Sequence, residues 1–246
     1  MTRTFVGGIF ATVAVLVVGV AIALPPFLQP PRGPPVMLAF SIINENNDVP
    51  YWCSEVSDIL KKNNLDAVVF FSGIIAENHP QCVASFGENV DIGSSTYNYG
   101  NLTAIADYSE QLKEILDGKN AVDLAGDLNS KSFRAPYGST DENIYSLLAR
   151  SEILADFSYT DRYHKYHEGN FIWFRVTVYN ASSISGAFIR DLQYDENDRP
   201  IQIDIDNTVP LSKVQEIVDA LKDKRANFLN ASELTGIELT VRGGRQ

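Results

Sequence analysis

Positive charge is in short supply in this sequence. Twenty lysines and arginines stand against 31 aspartates and glutamates, a formal charge of −11 at neutral pH. That balance gives no support for nucleic-acid binding, which favours a basic patch, and it disfavours anionic surfaces. Cysteine is also scarce: Cys53 and Cys82 are the only two, so at most one bridge can form within the chain. No internal repeat is present, which sets aside solenoids and propellers. Acidic residues are missing altogether before Glu45.

What stands in that acid-free start is apolar. Phe5 to Leu24 is an uncharged run of 20 residues behind Arg3, long enough to span a hydrocarbon core of roughly 30 Å. A positive start favours an inside N-terminus and an exported remainder. Residues 1–24 are therefore expected to be a signal anchor; the alternative is a signal peptide cleaved near Ala21-Ile22-Ala23, giving a secreted protein. Residues 25–35 hold six prolines and a glycine and form a stiff spacer. The expected location is the cell membrane, with a single pass and the globular part outside the cytoplasm.

Strand signals recur at Val36–Ile43, Ala67–Ser72, Val90–Ser94, Ser132–Ala135, Ala155–Tyr159, Phe171–Tyr179 and Ile201–Ile205. Helical patterns lie between several of them, at Pro50–Asn63, Ile74–Phe86, Ala104–Leu116, Thr140–Arg150 and Leu211–Lys224. Thr103 and Ser139 or Thr140 are the expected helix N-caps. Strands alternating with helices predict parallel pairing, in a barrel or an open sheet. Ile201 to Asp206 alternates apolar and polar, as a half-buried strand does.

The motifs narrow this. Asp91-Ile92-Gly93-Ser94-Ser95-Thr96-Tyr97-Asn98-Tyr99-Gly100-Asn101-Leu102-Thr103 and Phe133-Arg134-Ala135-Pro136-Tyr137-Gly138 are the most informative segments. Ala67-Val68-Val69-Phe70-Phe71-Ser72-Gly73 precedes them, and Phe228-Leu229-Asn230-Ala231-Ser232-Glu233-Leu234 closes the series. In this order they resemble the polysaccharide deacetylase family (the NodB-homology domain) over most of residues 37–234. The resemblance implies an α/β fold, a distorted (β/α)7 barrel at residues 36–234, leaving 235–246 as a C-terminal tail.

It also implies an ancestral chemistry. Members hold a divalent metal with an aspartate and two histidines, while a second aspartate takes the proton of the attacking water. Carried over by position, the base falls on Ser41, the metal-binding aspartate on Ile42, and the histidines on Ser95 and Tyr99. Serine and tyrosine are poor ligands for zinc-like ions and isoleucine is none, so no metal cofactor is expected. The family's late histidine has no counterpart in Ile203-Asp204-Ile205-Asp206. A relocated metal site is the alternative, with Asp161, His164 and His167 as its ligands.

Arg134, Pro136 and Tyr137 keep the family's R-x-P-Y-G pattern, and with Tyr97 and Tyr99 they are the expected ligand-binding residues. Tyr51, Trp52 and Tyr159 are further aromatics near the expected mouth; Trp52 serves equally well as a core anchor. Arg134 has lost its aspartate at position 41, so it is expected to take another carboxylate or a ligand anion. Glu45, Asp91 and Asp206 are the candidates within the chain; without them, acidic glycans are the favoured ligands. Successive crossover helices of such a barrel lie side by side, so a Cys53–Cys82 disulfide is expected; two buried free thiols are the alternative. The leading functional expectation is a membrane-anchored deacetylase-like protein that binds a glycan, such as an N-acetylated sugar, or a protein. The alternatives are an active N-deacetylase with relocated ligands and a structural envelope protein.

Overall fold

The computed structural model describes residues 33–46, 48–158, 172–173, 177–194 and 200–243. The apolar run at 5–24, most of the spacer, and Tyr159, Asp161, His164 and His167 lie outside the described residues. Among the described residues no helix is long and apolar enough to cross a membrane.

The chain begins with β1 (Pro35–Ile42), α1 (Val49–Asn63) and β2 (Ala67–Phe71). Pro50 stands in the first turn of α1, where its missing N–H costs nothing. Asn64 ends that helix in the left-handed conformation at φ 49°, its N–H returning to the carbonyls of Leu60 and Lys61. Next come α2 (Gly73–Asn78) and α3 (Pro80–Ala84), which replace the single helix expected at Ile74–Phe86. Pro80 cannot continue a helix and divides them. β3 (Val90–Ser94) and α4 (Tyr108–Gly126) follow.

The start of α4 lies beyond the expected Thr103 cap. Asp107 caps it instead, accepting from the N–H groups of Ser109 at 2.7 Å and Glu110 at 3.2 Å. The Thr103 hydroxyl is occupied in its own loop, 2.5 Å from the Ser139 hydroxyl. After β4 (Leu128–Ser130) and β5 (Ser132–Phe133), α5 (Glu142–Arg150) is capped by Asp141 rather than Ser139 or Thr140. A carboxylate so placed also meets the helix dipole.

The second half runs through β6 (Ala155–Asp156), β7 (Ile172–Trp173), β8 (Thr177–Asn180), α6 (Gly186–Asp191), β9 (Ile201–Asp206) and α7 (Leu211–Asp223). It ends in β10 (Asn227–Phe228), α8 (Ala231–Thr235) and β11 (Thr240–Arg242). Within the stretch expected to be a tail, β11 pairs antiparallel with β4, and Leu239 is fully buried.

The main sheet runs β7-β6-β5-β3-β2-β1-β9-β8, with β10 also on β1, and every pairing in it is parallel. Among the described residues no ladder joins β7 to β8. The barrel is thus a curled open sheet, at most a partial closure of the distorted (β/α)7 barrel. Its central strand is buried on both faces. Val36, Leu38, Phe40 and Ile42 face the layer shared with the outer helices, while Met37 and Ala39 join Phe70, Phe157 and Leu239 on the other side. Such strands read as unbroken apolar runs. Cys53 on α1 and Cys82 on α3 are joined as a disulfide, their Cα atoms 5.5 Å apart.

Candidate functional site

The carboxyl ends of the strands gather one set of polar side chains. Ser41 is the penultimate residue of β1, Arg134 follows β5, Ser158 follows β6, Asn180 ends β8, and Asp204 and Asp206 lie on β9. With Asn44, Tyr99 and Tyr137 they line a cleft of about 560 Å³. This is the end at which parallel sheets place their ligands.

Arg134 forms an ion pair with Asp204, each side chain 18% exposed. Its other Nη donates to the Ser41 hydroxyl at 3.4 Å. The second carboxylate oxygen of Asp204 accepts from Gln202 at 2.7 Å. The arginine's partner therefore comes from β9 and is none of the three expected carboxylates. Glu45 faces His79 and Asn78, both at 3.2 Å. Asp91 accepts from the N–H of Ser232 at the start of α8. Asp206 accepts from the N–H and hydroxyl of Thr208, and it lines the cleft beside the ion pair.

The Arg134–Gly138 turn is held from beneath. The Ala135 N–H donates to the Ser158 hydroxyl at 2.6 Å, and that hydroxyl donates to Asp156. Burial pushes the Asp156 carboxyl up to about 7, against the hydrogen bonds from Ser158 and the charge of Arg134. Above, Tyr137 adopts φ 57° and is 76% exposed. Tyr99 adopts φ 55°, and its ring lies 5.6 Å from that of Tyr137. Left-handed backbone is uncommon for bulky residues and marks places where a side chain is aimed against local preference. Burial raises the Tyr99 phenol; Arg134 pulls against that, while Tyr137, Asp206 and Asp204 add to it.

Two more polar links shape the rim. Asn207 accepts from the N–H groups of Ile43 at 3.1 Å and Asn44 at 3.0 Å and donates to the Asn44 carbonyl, pinning the exit of β1. The segment Ser95–Tyr97 lies against α4, where Gly118 makes the approach possible: a methyl there would overlap the Ser95 carbonyl.

The expected residues thus divide. Ser41, Tyr99, Arg134 and Tyr137 meet in one cleft. Pro136 is buried beneath it, and Ser95 is buried with its hydroxyl lacking a protein partner among the described residues. Ile42 faces the apolar layer. Tyr97 lies outside the cleft lining, its hydroxyl bonded to Glu77 on α2. Trp52 is a core anchor, edge-on to Phe40 and donating to the Val209 carbonyl at 3.1 Å, and Tyr51 is exposed. Among the described residues no three His, Cys, Asp or Glu side chains are grouped to hold a metal. Asp206 is among the expected partners of Arg134 and Asp204 is not, yet their i, i+2 spacing already puts both on one face of an alternating strand.

Solved structures share this fold. The chitin deacetylase of the fungal pathogen Colletotrichum lindemuthianum matches at a TM-score of 0.64 and 17% identity, over 87% of this chain and 95% of that one. The peptidoglycan deacetylase of Bacillus subtilis matches at 0.60 and 18%, over 85% and 93%. A carbohydrate esterase family 4 pseudoenzyme from Bacillus anthracis matches at 0.61 and 12%, over 84% and 66%. The sequence profile described as polysaccharide deacetylase matches residues 29–154, more than half of the chain. That stretch carries Ser41, Tyr99, Arg134 and Tyr137, and on this match the chain belongs to the polysaccharide deacetylase family.

Proposed function

We infer that this is a deacetylase-like protein that has lost the family's metal site and uses the old cleft to bind a glycan. The observation that carries the reading is the commitment of Arg134 to Asp204. The residue expected to steady a catalytic aspartate is neutralised by a different strand, and the aspartate's place is held by Ser41. The donor set at the inherited ligand positions (Ile42, Ser95 and Tyr99) does not suit a divalent ion, and Ile42 belongs to the apolar layer. A relative with this fold is itself a pseudoenzyme, and a mutant of that relative has restored enzymatic activity. The cleft's size and its paired tyrosines suit a sugar ring, whose apolar faces stack on aromatics. Residues 5–24 anchor the domain to the membrane and place it outside the cytoplasm.

The test is metal analysis of the full-length protein in detergent, beside a deacetylation assay on N-acetylglucosamine oligomers. The expected result is no stoichiometric zinc or cobalt after dialysis and no acetate release. Bound metal that disappears with His164→Ala and His167→Ala would instead establish the relocated site with Asp161.

A further inference from the structure

We propose that the cleft selects glycan units bearing a free amine, deacetylated amino sugars, over N-acetylated ones. This rests on the glycan-binding reading above and names its ligand class.

The charges in the cleft come first. Arg134 is the single cationic side chain in the lining among the described residues, and Asp204 neutralises it. Asp204 spends its other oxygen on Gln202. Among the described residues Asp206 has no such cation. One of its oxygens closes the Thr208 turn, and the other has no protein donor among the described residues. The lining therefore keeps one uncompensated carboxylate beside a satisfied ion pair. An acidic sugar would meet repulsion there, and an ammonium would meet attraction.

The neighbours of Asp206 suit the same ion. Tyr99 and Tyr137 present two tilted rings in the same lining, and a cation over a tyrosine face gains about 0.5–2 kcal/mol. Tyr99, Asp204 and Asp206 all line the same cleft. A carboxylate and two aromatic faces in one lining form a receptor for a primary ammonium. An N-acetyl group brings no charge, and its methyl would strip water from Asp206 with nothing in return.

The experiment is calorimetric titration of the full-length protein in neutral detergent with two probes, the tetramer of glucosamine and the tetramer of N-acetylglucosamine. The glucosamine tetramer is expected to bind at least about tenfold more tightly, with the advantage shrinking as salt is added. Asp206→Asn keeps an oxygen for Thr208, so its melting temperature should match the parent's while its preference disappears. Equal or tighter binding of the acetylated tetramer overturns this inference and leaves the glycan reading standing. Absence of binding by both tetramers overturns the glycan reading itself. A preference that survives Asp206→Asn, or a lysine tetrapeptide that binds as tightly as the glucosamine tetramer, also overturns the proposal.

Discussion

Arg134 and Asp204 form an ion pair across three intervening strands. In the sheet order, β3, β2 and β1 lie between β5 and β9, so only the curl of the sheet brings the two side chains together. The pair is a cross-tie of the open barrel's mouth as well as a feature of the cleft. Asp204→Ala leaves a mostly buried guanidinium without its partner and should cost about 1–3 kcal/mol, less than a fully buried pair because both ends touch solvent. Replacing both residues, Arg134→Met with Asp204→Leu, should cost less than Asp204→Ala alone. Urea unfolding of the three variants reads this directly; a harmless Asp204→Ala would mean that the tie holds nothing.

The bridge between Cys53 and Cys82 joins α1 to α3 across a sequence separation of 29. Removing it should cost about 3–4 kcal/mol on the chain-entropy account. Purified without reductant, the protein should offer no thiol to a labelling reagent when unfolded, and reduction should lower its melting temperature. Two labelled thiols per chain would contradict the structure.

Asp156 supplies a pH dependence with a definite sign. Its folded value of about 7 lies above the ordinary 3.8, so the native state holds a proton that the unfolded chain releases between those values. The stability it contributes is complete below about pH 4 and is lost as pH rises through about 7. Asp156→Asn should therefore flatten the fall in melting temperature between about pH 5 and pH 8 relative to the parent. Equal slopes in the two proteins would show that the carboxyl is not held protonated.

Tyr137 sits in left-handed backbone with its ring exposed, so its position serves the cleft at the expense of the turn. Tyr137→Gly removes the conformational penalty, of the order of 1 kcal/mol, and also removes the ring. The melting temperature should hold or rise while glycan affinity falls severalfold. A variant that loses stability would assign the ring a structural duty.

Much of the fold is legible locally. The strands β1, β2, β3 and β9 follow from apolar runs and alternation, and α1 and α7 from their amphipathic spacing. Boundaries misled where several capping residues compete: Thr103 and Ser139 look like caps until their hydroxyls bond to each other, leaving the duty to Asp107 and Asp141. The C-terminal strand was missed because three residues carry little periodicity and their partners on β4 lie far back in the chain, Thr240 pairing with Ser130 and Arg242 with Leu128. Of the site, Arg134, Tyr99 and Tyr137 came from motif order. Asp204 did not, because alternation tells which face a side chain takes but not which distant strand the sheet's curl brings opposite it.

The place of β1 in the sheet has a consequence for how the chain is made. Among the described residues it is the first strand in chain order, and it pairs on one edge with β2, which follows at once. Its other edge waits for β9, paired at Ser41↔Asp206, 165 positions on. For most of synthesis a strand apolar on both faces therefore carries an open edge, the condition in which nascent sheets aggregate or pair wrongly. Such long-range pairing also slows folding. Truncations ending before residue 201 should be insoluble, however well their local helices form.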